Sequence, residues 1–451
     1  MTDSVFAPRY RAMSVGVMMS VTVVAFQSLG VSTAMPAVAR DLGGLAHYGW
    51  AFSAFMLAGL IGTVAAGQDA DRHGPVRAYV VAVSTFAAGS AVAALAGGWE
   101  ALLAGRALEG FGAGALVVVT YASASRAYPQ AMYGRMLALM SAAWVLPSLA
   151  GPAVSGLIAD HASWRYVFVL LLPFLPVAIA LTLPGLRALA REPGVAVVHS
   201  RRLPQALALA GGLAVFLAAL EAEPGVVLVL GGSAGLALAL PALRRLLPPG
   251  TLRAAPGLPS GIAVRGLLAV AFLGCDAFMP LALTELRDFS SSGAGLVISA
   301  ASLSWSLGAF AQARLDRLDG GAGRRRRLLA GLAVVLAGIA LAATGVLAAG
   351  VPVAVAVAGW TVAGFGIGVG YPSIGALVLA AAPDGEEGGV SAALQLSETI
   401  GVALFTGIGG AFIAHGLDRG WDAVTAFLLV FATGAAAALA GLAAGRRVTA
   451  T

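Results

Sequence analysis

Long apolar stretches separated by short polar turns recur along the whole chain. Each is about 18–28 residues long, and a helix needs about 20 residues to cross the hydrocarbon core of a bilayer. Backbone groups meet no water there, so a crossing segment must satisfy its own hydrogen bonds as a helix. The pattern predicts an all-α polytopic membrane protein with fourteen transmembrane helices. The stretches lie near residues 13–36, 48–67, 77–97, 100–122, 133–158, 165–184, 204–222, 225–243, 262–285, 291–313, 327–349, 352–379, 389–414 and 422–445.

The composition agrees with this pattern. Of 451 residues, 59% are hydrophobic and 11% are charged, with a mean hydropathy of +0.90. Soluble domains carry about 25% charged residues. The net charge of +6 comes from arginines spread along the chain and not from one basic domain. We therefore expect a multi-pass protein of the cell membrane whose environment is the lipid bilayer, with no nucleic-acid partner.

The placement of arginine predicts the orientation, because cytoplasmic loops carry an excess of basic residues. If the N-terminus is cytoplasmic, the outer side holds only Arg40, Arg165, Arg287 and Arg419. The inner side then holds most of the other arginines, including Arg265, whereas Arg106 lies within the fourth stretch. We expect both termini in the cytoplasm, which requires an even number of helices.

A glycine motif in the fourth stretch is repeated later in the chain. Residues 110–114 (Gly-Phe-Gly-Ala-Gly) recur as 364–368 (Gly-Phe-Gly-Ile-Gly) in the twelfth, an offset of 254 residues. Leu315-Asp316-Arg317, after the tenth stretch, is similar to Ala70-Asp71-Arg72 after the second. Many transporter folds are built from duplicated halves. We expect two pseudo-symmetric six-helix bundles at residues 1–184 and 262–451, with cytoplasmic linkers and two extra helices (about 204–222 and 225–243) in residues 185–261.

Charged and polar residues inside apolar stretches are the candidates for chemistry, because they are costly in a membrane. Arg106 and Glu109 lie one turn apart in the fourth stretch, where they can interact; alternatively, Arg106 reaches the outer interface as a snorkelling side chain. Asp276 and Glu398 lie deep in the second half. A carboxyl group in apolar surroundings is readily protonated, as a reversible proton carrier requires. The alternative is a structural acid satisfied by neighbouring hydroxyls or amides. The expected proton-coupling residues are Arg106, Glu109, Asp276 and Glu398, and the expected cavity residues are Gln27, Trp144, Asp276, Tyr371, Gln395 and Glu398.

Two further motifs concern movement. The polar connection after the second stretch contains Gly67, Asp71, Arg72, Gly74 and Arg77, and its glycines permit a sharp turn and close approach of helix ends. The fifth stretch contains a proline and glycine cluster, which permits helix bending and tight packing. The members of that cluster are Pro147, Gly151, Pro152 and Gly156.

These motifs resemble, in the correct helices and order, those of the major facilitator superfamily. The fourteen helices point to its drug:proton antiporter branch. The resemblance implies that the connection at residues 67–77 is a cytoplasmic gate, with Asp71 at a helix N-terminus of the other half, near Gly388–Val390. It also implies that Arg106 is linked to proton transfer. Gly151-Pro152 resembles the motif that marks antiporters, and Trp164-Arg165 a habit of drug exporters.

The sequence also departs from the family pattern. Relatives typically carry a carboxylate where Gln27 stands and glutamine where Glu109 stands. If the first and fourth helices face each other, Gln27 can donate a hydrogen bond to Glu109. We hypothesise that Glu109 takes over the coupling role of the missing acid.

A charge cluster is expected on the cytoplasmic side of the second half. Acids follow the twelfth stretch, arginines flank the loop after the tenth, and both loops face inward in this topology. Opposite charges should therefore meet. The acids are Asp384, Glu386 and Glu387, and the bases are Arg314, Arg317 and Arg324–Arg327.

The sequence predicts a transporter and not an enzyme. The chain has no lysine and therefore no nucleotide-binding Gly-Lys-Ser/Thr loop. Asp160-His161-Ala162-Ser163 is interpreted as a turn, and Cys275 is the single cysteine, so we expect neither cofactor nor metal. We expect a monomer that exports amphipathic small molecules or drugs in exchange for protons, by alternating access. The alternatives are a dedicated exporter of one endogenous metabolite or lipid, and a non-transporting scaffold or sensor.

Overall fold

The computed structural model describes residues 4–189, 202–222 and 225–449, without the side chains of residues 130 and 131. Within these ranges the chain is helical and contains no strand. Fourteen helices are long and apolar enough to span a membrane, as predicted. Most of the predicted first linker, including Arg191 and Arg201, lies outside the described residues. The helices are α1 (Arg11–Leu42), α2 (Leu45–His73), α3 (Pro75–Ala94), α4 (Trp99–Ala127), α5 (Met132–His161), α6 (Arg165–Leu189), α7 (Arg202–Glu221), α8 (Val226–Leu246), α9 (Leu258–Arg287), α10 (Ser291–Asp319), α11 (Arg324–Leu347), α12 (Ala354–Ala380), α13 (Glu387–Asp418) and α14 (Ala423–Gly445).

The repeated glycine motif has the same packing role in both halves. In residues 110–114 the first and last glycines lie against the backbone of α2, and the middle glycine lies against α3. In residues 364–368 the first and last glycines lie against the backbone of α10, and the middle one against α11. None of these six positions has room for a β-carbon, so glycine lets the helices approach closely. The repeat is therefore structural as well as sequential. The domain limits at residues 184 and 261 stay a prediction.

Helix α9 is irregular at the middle of the membrane. A π-helical turn, Val270–Gly274, separates the α-helical segments Leu258–Ala269 and Cys275–Arg287. Such turns are frequently found at functional sites, because they leave the regular backbone ladder locally broken. Asp276 follows directly after this turn.

The two halves meet at the outer ends of their helices. Gly156 of α5 packs against the backbone of Ser291 at the start of α10, and Gly49 of α2 packs against Gly410 of α13. We call this line of contacts between the halves the seam. Ser53 of α2 also belongs to it, because its hydroxyl donates a hydrogen bond to the carbonyl of Ala403 in α13, at 2.9 Å. These contacts close the outer face of the molecule.

The inner ends of α2 and α13 are arranged differently. Residues 383–389, which lead into α13, are exposed, and a β-carbon added at Gly388 or Gly389 would meet no side chain or neighbouring helix within 4 Å. Among the described residues, Asp71 at the inner end of α2 pairs with Arg126 and not with this segment. The halves are thus in contact at the outer ends of α2 and α13, whereas the segment before α13 is exposed at the inner end.

Candidate functional site

Glu109 of α4 lies at the centre of a buried polar cluster in the first half. Its Oε2 accepts a hydrogen bond from Arg106 Nη1 at 2.6 Å. Its Oε1 accepts one from Gln27 Nε2 of α1 and one from Ser90 Oγ of α3, both at 2.6 Å. The carboxylate has no exposed surface. Both predicted contacts of Glu109, with Arg106 and with Gln27, are present.

Arg106 is satisfied inside the protein. Only 3% of the residue is exposed, its Nε donates to the carbonyl of Ala51 at 3.1 Å, and its guanidinium carbon lies 4.4 Å from the centre of the Phe55 ring. The alternative of a snorkelling arginine is therefore wrong. The cluster is electrically neutral as an ion pair, and removal of either partner would leave a buried charge uncompensated.

Asp276 of α9 is the deep acid with the fewest partners. It is half-buried, and its Oδ1 accepts a hydrogen bond from Trp360 Nε1 of α12 at 2.9 Å. Within the described ranges, Asp276 forms no ion pair. Trp360 stacks face to face on Phe272, with ring centres 5.0 Å apart, and Trp305 of α10 meets Phe272 edge-on at 5.6 Å. The acid thus stands beside an aromatic wall.

Glu398 of α13 is held by an arginine and a tyrosine. Its Oε2 accepts from Arg265 Nε at 2.9 Å and from the hydroxyl of Tyr371 at 2.8 Å. The Arg265 guanidinium carbon lies 3.2 Å from the centre of the Tyr371 ring. Arg265, which was counted among the inner-side arginines, lies within α9 near its start, and only 12% of its side chain is exposed.

The two C-terminal acids belong to one continuous cluster. Trp305 contacts Phe272 on one side and, with ring centres 5.6 Å apart, Tyr371 on the other. The aromatic side chains therefore connect the surroundings of Asp276 to those of Glu398.

The remaining predicted cavity residues occupy different surroundings. Trp144 packs against the apolar core of the first half, and Gln395 is exposed on α13. Gln27 is completely buried, so it is sealed off and does not line an open space.

The connection between α2 and α3 is a compact charged turn. Asp69 accepts from His73 Nδ1 at 2.8 Å and lies 3.6 Å from Arg77 Nε. Gly74 has a φ of +84°, a left-handed value that favours glycine. Arg72 is exposed.

Asp71 pairs within its own half. Its Oδ1 lies 3.4 Å from Arg126 Nη2 of α4, beside a cavity of about 220 Å³ that Gly67 also lines. The expected contact with Gly388–Val390 is not formed in this conformation. Its formation in an inward-closed state stays a prediction.

The charge cluster of the second half has different acids from those predicted. Arg324 Nη2 lies 2.5 Å from Asp316, and Arg327 contacts Asp316 at 2.8 Å and Asp319 at 2.5 Å. A short turn places the end of α10 beside the start of α11, which brings these acids closest. The predicted acids Asp384, Glu386 and Glu387 are exposed, and no ion pair of the described chain includes them.

Asp160 was interpreted as part of a turn, but it joins the two halves. Its carboxylate accepts from the backbone N–H of Ser291 at 3.0 Å, from that of Ser292 at 2.7 Å, and from the Ser292 hydroxyl at 2.6 Å. It therefore caps the N-terminus of α10. Gly156, one turn earlier in α5, packs on the same end of α10. The glycine and proline cluster of α5 forms this seam: Gly295 of α10 lies against the backbone of Pro152.

Sequence reasoning missed Ser90, Trp305 and Trp360 as members of the polar clusters. Trp360 carried a usable signal, because it lies 254 residues after Arg106, the offset of the glycine repeat. Ser90 and Trp305 carried none, because isolated serines and tryptophans are common in membrane helices.

Fourteen helices in two related halves define the architecture of a polytopic membrane protein. The family model of the Major Facilitator Superfamily matches residues 17–406, and the chain belongs to this family. A probable multidrug-efflux transporter of Mycobacterium tuberculosis is 26% identical over 398 residues, which cover 84% of this chain and 82% of that protein. Multidrug resistance protein 3 of Bacillus subtilis is 28% identical over 158 residues, 35% of this chain and 31% of that one.

Solved structures show the same fold. The POT family transporter PepTSo has a TM-score of 0.71 at 15% identity, covering 96% of this chain and 97% of that one. The human organic anion transporter MFSD10 has a TM-score of 0.59 at 17% identity, covering 95% and 100%. As a member of the Major Facilitator Superfamily with fourteen apolar helices, the chain is a multi-pass protein of the cell membrane that transports small molecules.

Proposed function

We propose that this transporter exports amphipathic small molecules, including drugs, in exchange for protons. The observation that carries the proposal is the buried Glu109 cluster, in which a carboxylate is held by Arg106, Gln27 and Ser90 with no contact to solvent. A buried carboxylate needs a full set of partners, and ionisable residues inside a membrane protein commonly mark proton pathways. The names of the multidrug relatives supply the expected direction and substrate class.

The three deep acids divide into two kinds. Glu109 and Glu398 each have an arginine partner, whereas Asp276 has only the Trp360 N–H. Protonation of a paired acid releases an arginine, which favours a change of conformation. Protonation of Asp276 leaves no such charge behind. We propose that the paired acids couple protons to movement and that Asp276, beside its aromatic wall, lies closest to the substrate.

Movement would follow from the two faces of the molecule. The outer ends of α5 and α10, and of α2 and α13, are in contact, while the segment before α13 is exposed at the inner end. We propose that the halves rock about the membrane centre, so that the outer contacts open as the inner gate at residues 67–77 closes. We propose that the transporter works as a monomer without a cofactor.

Substrate-induced proton movement tests this function directly. The purified protein is placed in liposomes that contain a pH-sensitive dye, and a panel of amphipathic compounds is added on one side. We expect several compounds to dissipate an imposed pH gradient, with the Glu109→Gln variant inactive. Proton movement with one endogenous metabolite or lipid alone would favour the dedicated exporter. No proton movement with any compound, together with intact compound binding, would favour the sensor.

A further inference from the structure

The inserted helix pair touches both halves of the transporter through α7. This helix packs against α2 of the first half and against α13 of the second. Leu217 of α7 fills the space beside Gly407 of α13. Helix α8 packs on α7, and much of its surface is exposed to lipid, including Val226, Val227 and Leu230. Helix α7 therefore lies across the seam between the halves.

The outer end of α7 is bonded to each half by a histidine. His47 Nδ1, in the turn that opens α2, lies 2.8 Å from Glu221 Oε2, the last residue of α7. His415 Nε2 of α13 lies 2.8 Å from the carbonyl oxygen of Leu220. The Glu221 side chain is only 9% exposed, so water competes weakly for its bond.

An outward-open conformation requires the outer ends of α2 and α13 to separate, and α7 can then follow only one of them. The bond to α13 uses a backbone carbonyl and is supported by Leu217. The bond to α2 joins two side chains, and the His47 side chain is 56% exposed. Glu221 also interacts with Trp50 of α2, so the side-chain bonds from this end of α7 to α2 run through one residue, Glu221.

We propose that α7 is an outer strap, fixed to the second half, whose Glu221–His47 bond holds the outer face closed. Release of His47 from Glu221 is the step that permits outward opening. This inference rests on the alternating-access part of the proposed function. It gives the inserted pair a positioning role, since Glu221 acts through α2 and touches neither substrate nor the coupling acids.

A cysteine reporter at the seam measures outer opening. Ser53 is completely buried and bonds to Ala403 across the seam, so a Ser53→Cys variant reacts with a membrane-impermeant maleimide only when the seam opens. Cys275, the one native cysteine, is buried and is first changed to alanine. A Gly388→Cys variant in the same background reports the inner face.

We expect Glu221→Ala and His47→Ala each to raise outer labelling about 2- to 12-fold, as the loss of one hydrogen bond predicts, and to lower inner labelling. The double variant should rise no further than the larger single one, and Glu221→Gln should lie between Glu221→Ala and the parent. Asp422→Ala is the matched control. Asp422 is also an outer acid, but it caps its own helix through the N–H of Val424, and its loss should leave labelling unchanged.

Unchanged outer labelling in both single variants would overturn the strap, as would full additivity in the double variant. A rise at both reporters would show loosening of the fold and would also overturn it. The assay uses neither substrate nor a proton gradient. If the labelling confirms the strap in a protein that moves no protons, the inference stands and the proposed function fails. If the protein moves protons but labelling does not change in the variants, the proposed function stands and the strap fails.

Discussion

Gln27 Nε2 of α1 donates a 2.6 Å hydrogen bond to Glu109 Oε1 of α4. In the second half, Trp360 Nε1 of α12 donates a 2.9 Å bond to Asp276 Oδ1 of α9. The first and fourth helices of each half are thus joined by one bond to a carboxylate. The acid is on the fourth helix in one half and on the first helix in the other.

This exchange leads to the first prediction. Glu109→Gln should abolish proton-driven efflux, because an amide cannot carry the proton, while substrate binding remains largely intact. The double change Gln27→Glu with Glu109→Gln should restore part of the efflux, because it returns one carboxylate to the same hydrogen-bonded position. Efflux is measured in vesicles with an imposed pH gradient, and binding by equilibrium titration.

A normal rate in Glu109→Gln, with failure of only the Asp276 and Glu398 variants, would contradict this prediction. Glu109 would then be a structural acid, and the first half would carry no coupling proton.

The sequence predicted the pairing of Arg106 with Glu109 because the information for it is local. Arg106 and Glu109 are three residues apart on one helix, and the reversed amide and acid at Gln27 and Glu109 indicated that the two side chains meet. The helix count was equally accessible, because each span has its own apolar run and needs no knowledge of its neighbours.

The contacts that the sequence did not predict join residues far apart. Arg265 and Glu398 are separated by 133 residues, and Asp160 and Ser291 by 131. Arg265 was counted only as an inner-side arginine, because nothing near it in the sequence indicates a partner as distant as Glu398. Which face is closed depends on the balance between two conformations and not on any single motif.

The second prediction separates Asp276 from its aromatic neighbour. Asp276→Asn should strongly reduce proton-driven efflux, because it removes the one deep acid without a basic partner. Trp360→Phe keeps an aromatic ring beside Phe272 but removes the N–H donor, and it should reduce efflux only by the few-fold that one hydrogen bond of about 1 kcal/mol predicts. Equal losses in both variants would indicate that efflux needs the hydrogen bond between Trp360 and Asp276 and not the ionisable acid itself.

The third prediction concerns the Arg265–Glu398 pair. Removing one partner leaves a largely buried charge uncompensated, so Arg265→Leu and Glu398→Gln should each lower the stability of the purified protein. The double variant, which leaves no unpaired charge, should lose less stability than the sum of the two single losses. A double-mutant cycle from denaturation should give a coupling energy of about 0.5–3 kcal/mol. Additive losses would mean that the 2.9 Å contact contributes no net stability.

The fourth prediction tests the inner gate. Asp71→Asn should preserve the fold, favour the inward-open state and slow export, because an amide is a weaker partner than a carboxylate for the positive N-terminus of α13. Accessibility of a Gly388→Cys reporter from the inner side should rise. Asp69→Asn is the control, since Asp69 bonds within its own turn to His73. Equal accessibility in Asp71→Asn and the parent would count against a latch at this position.

The last prediction concerns the outer counterpart of that latch. Asp160 accepts three hydrogen bonds from Ser291 and Ser292 across the seam, and it stands at the positive end of α10. Asp160→Asn would turn an amide N–H towards backbone donors, so it should weaken the closed outer face. We expect faster outer labelling of the Ser53→Cys reporter and a larger outward-open population.

The matched control for Asp160→Asn is Ser290→Ala at the same helix end. The Ser290 hydroxyl accepts from the N–H of Gly293 within α10, and loss of such a cap costs about 1 kcal/mol of stability. Because Ser290 bonds only inside its own half, its loss should lower stability without changing outer labelling. If the two variants raise labelling equally, the effect comes from fraying of α10, and Asp160 does not hold the halves together.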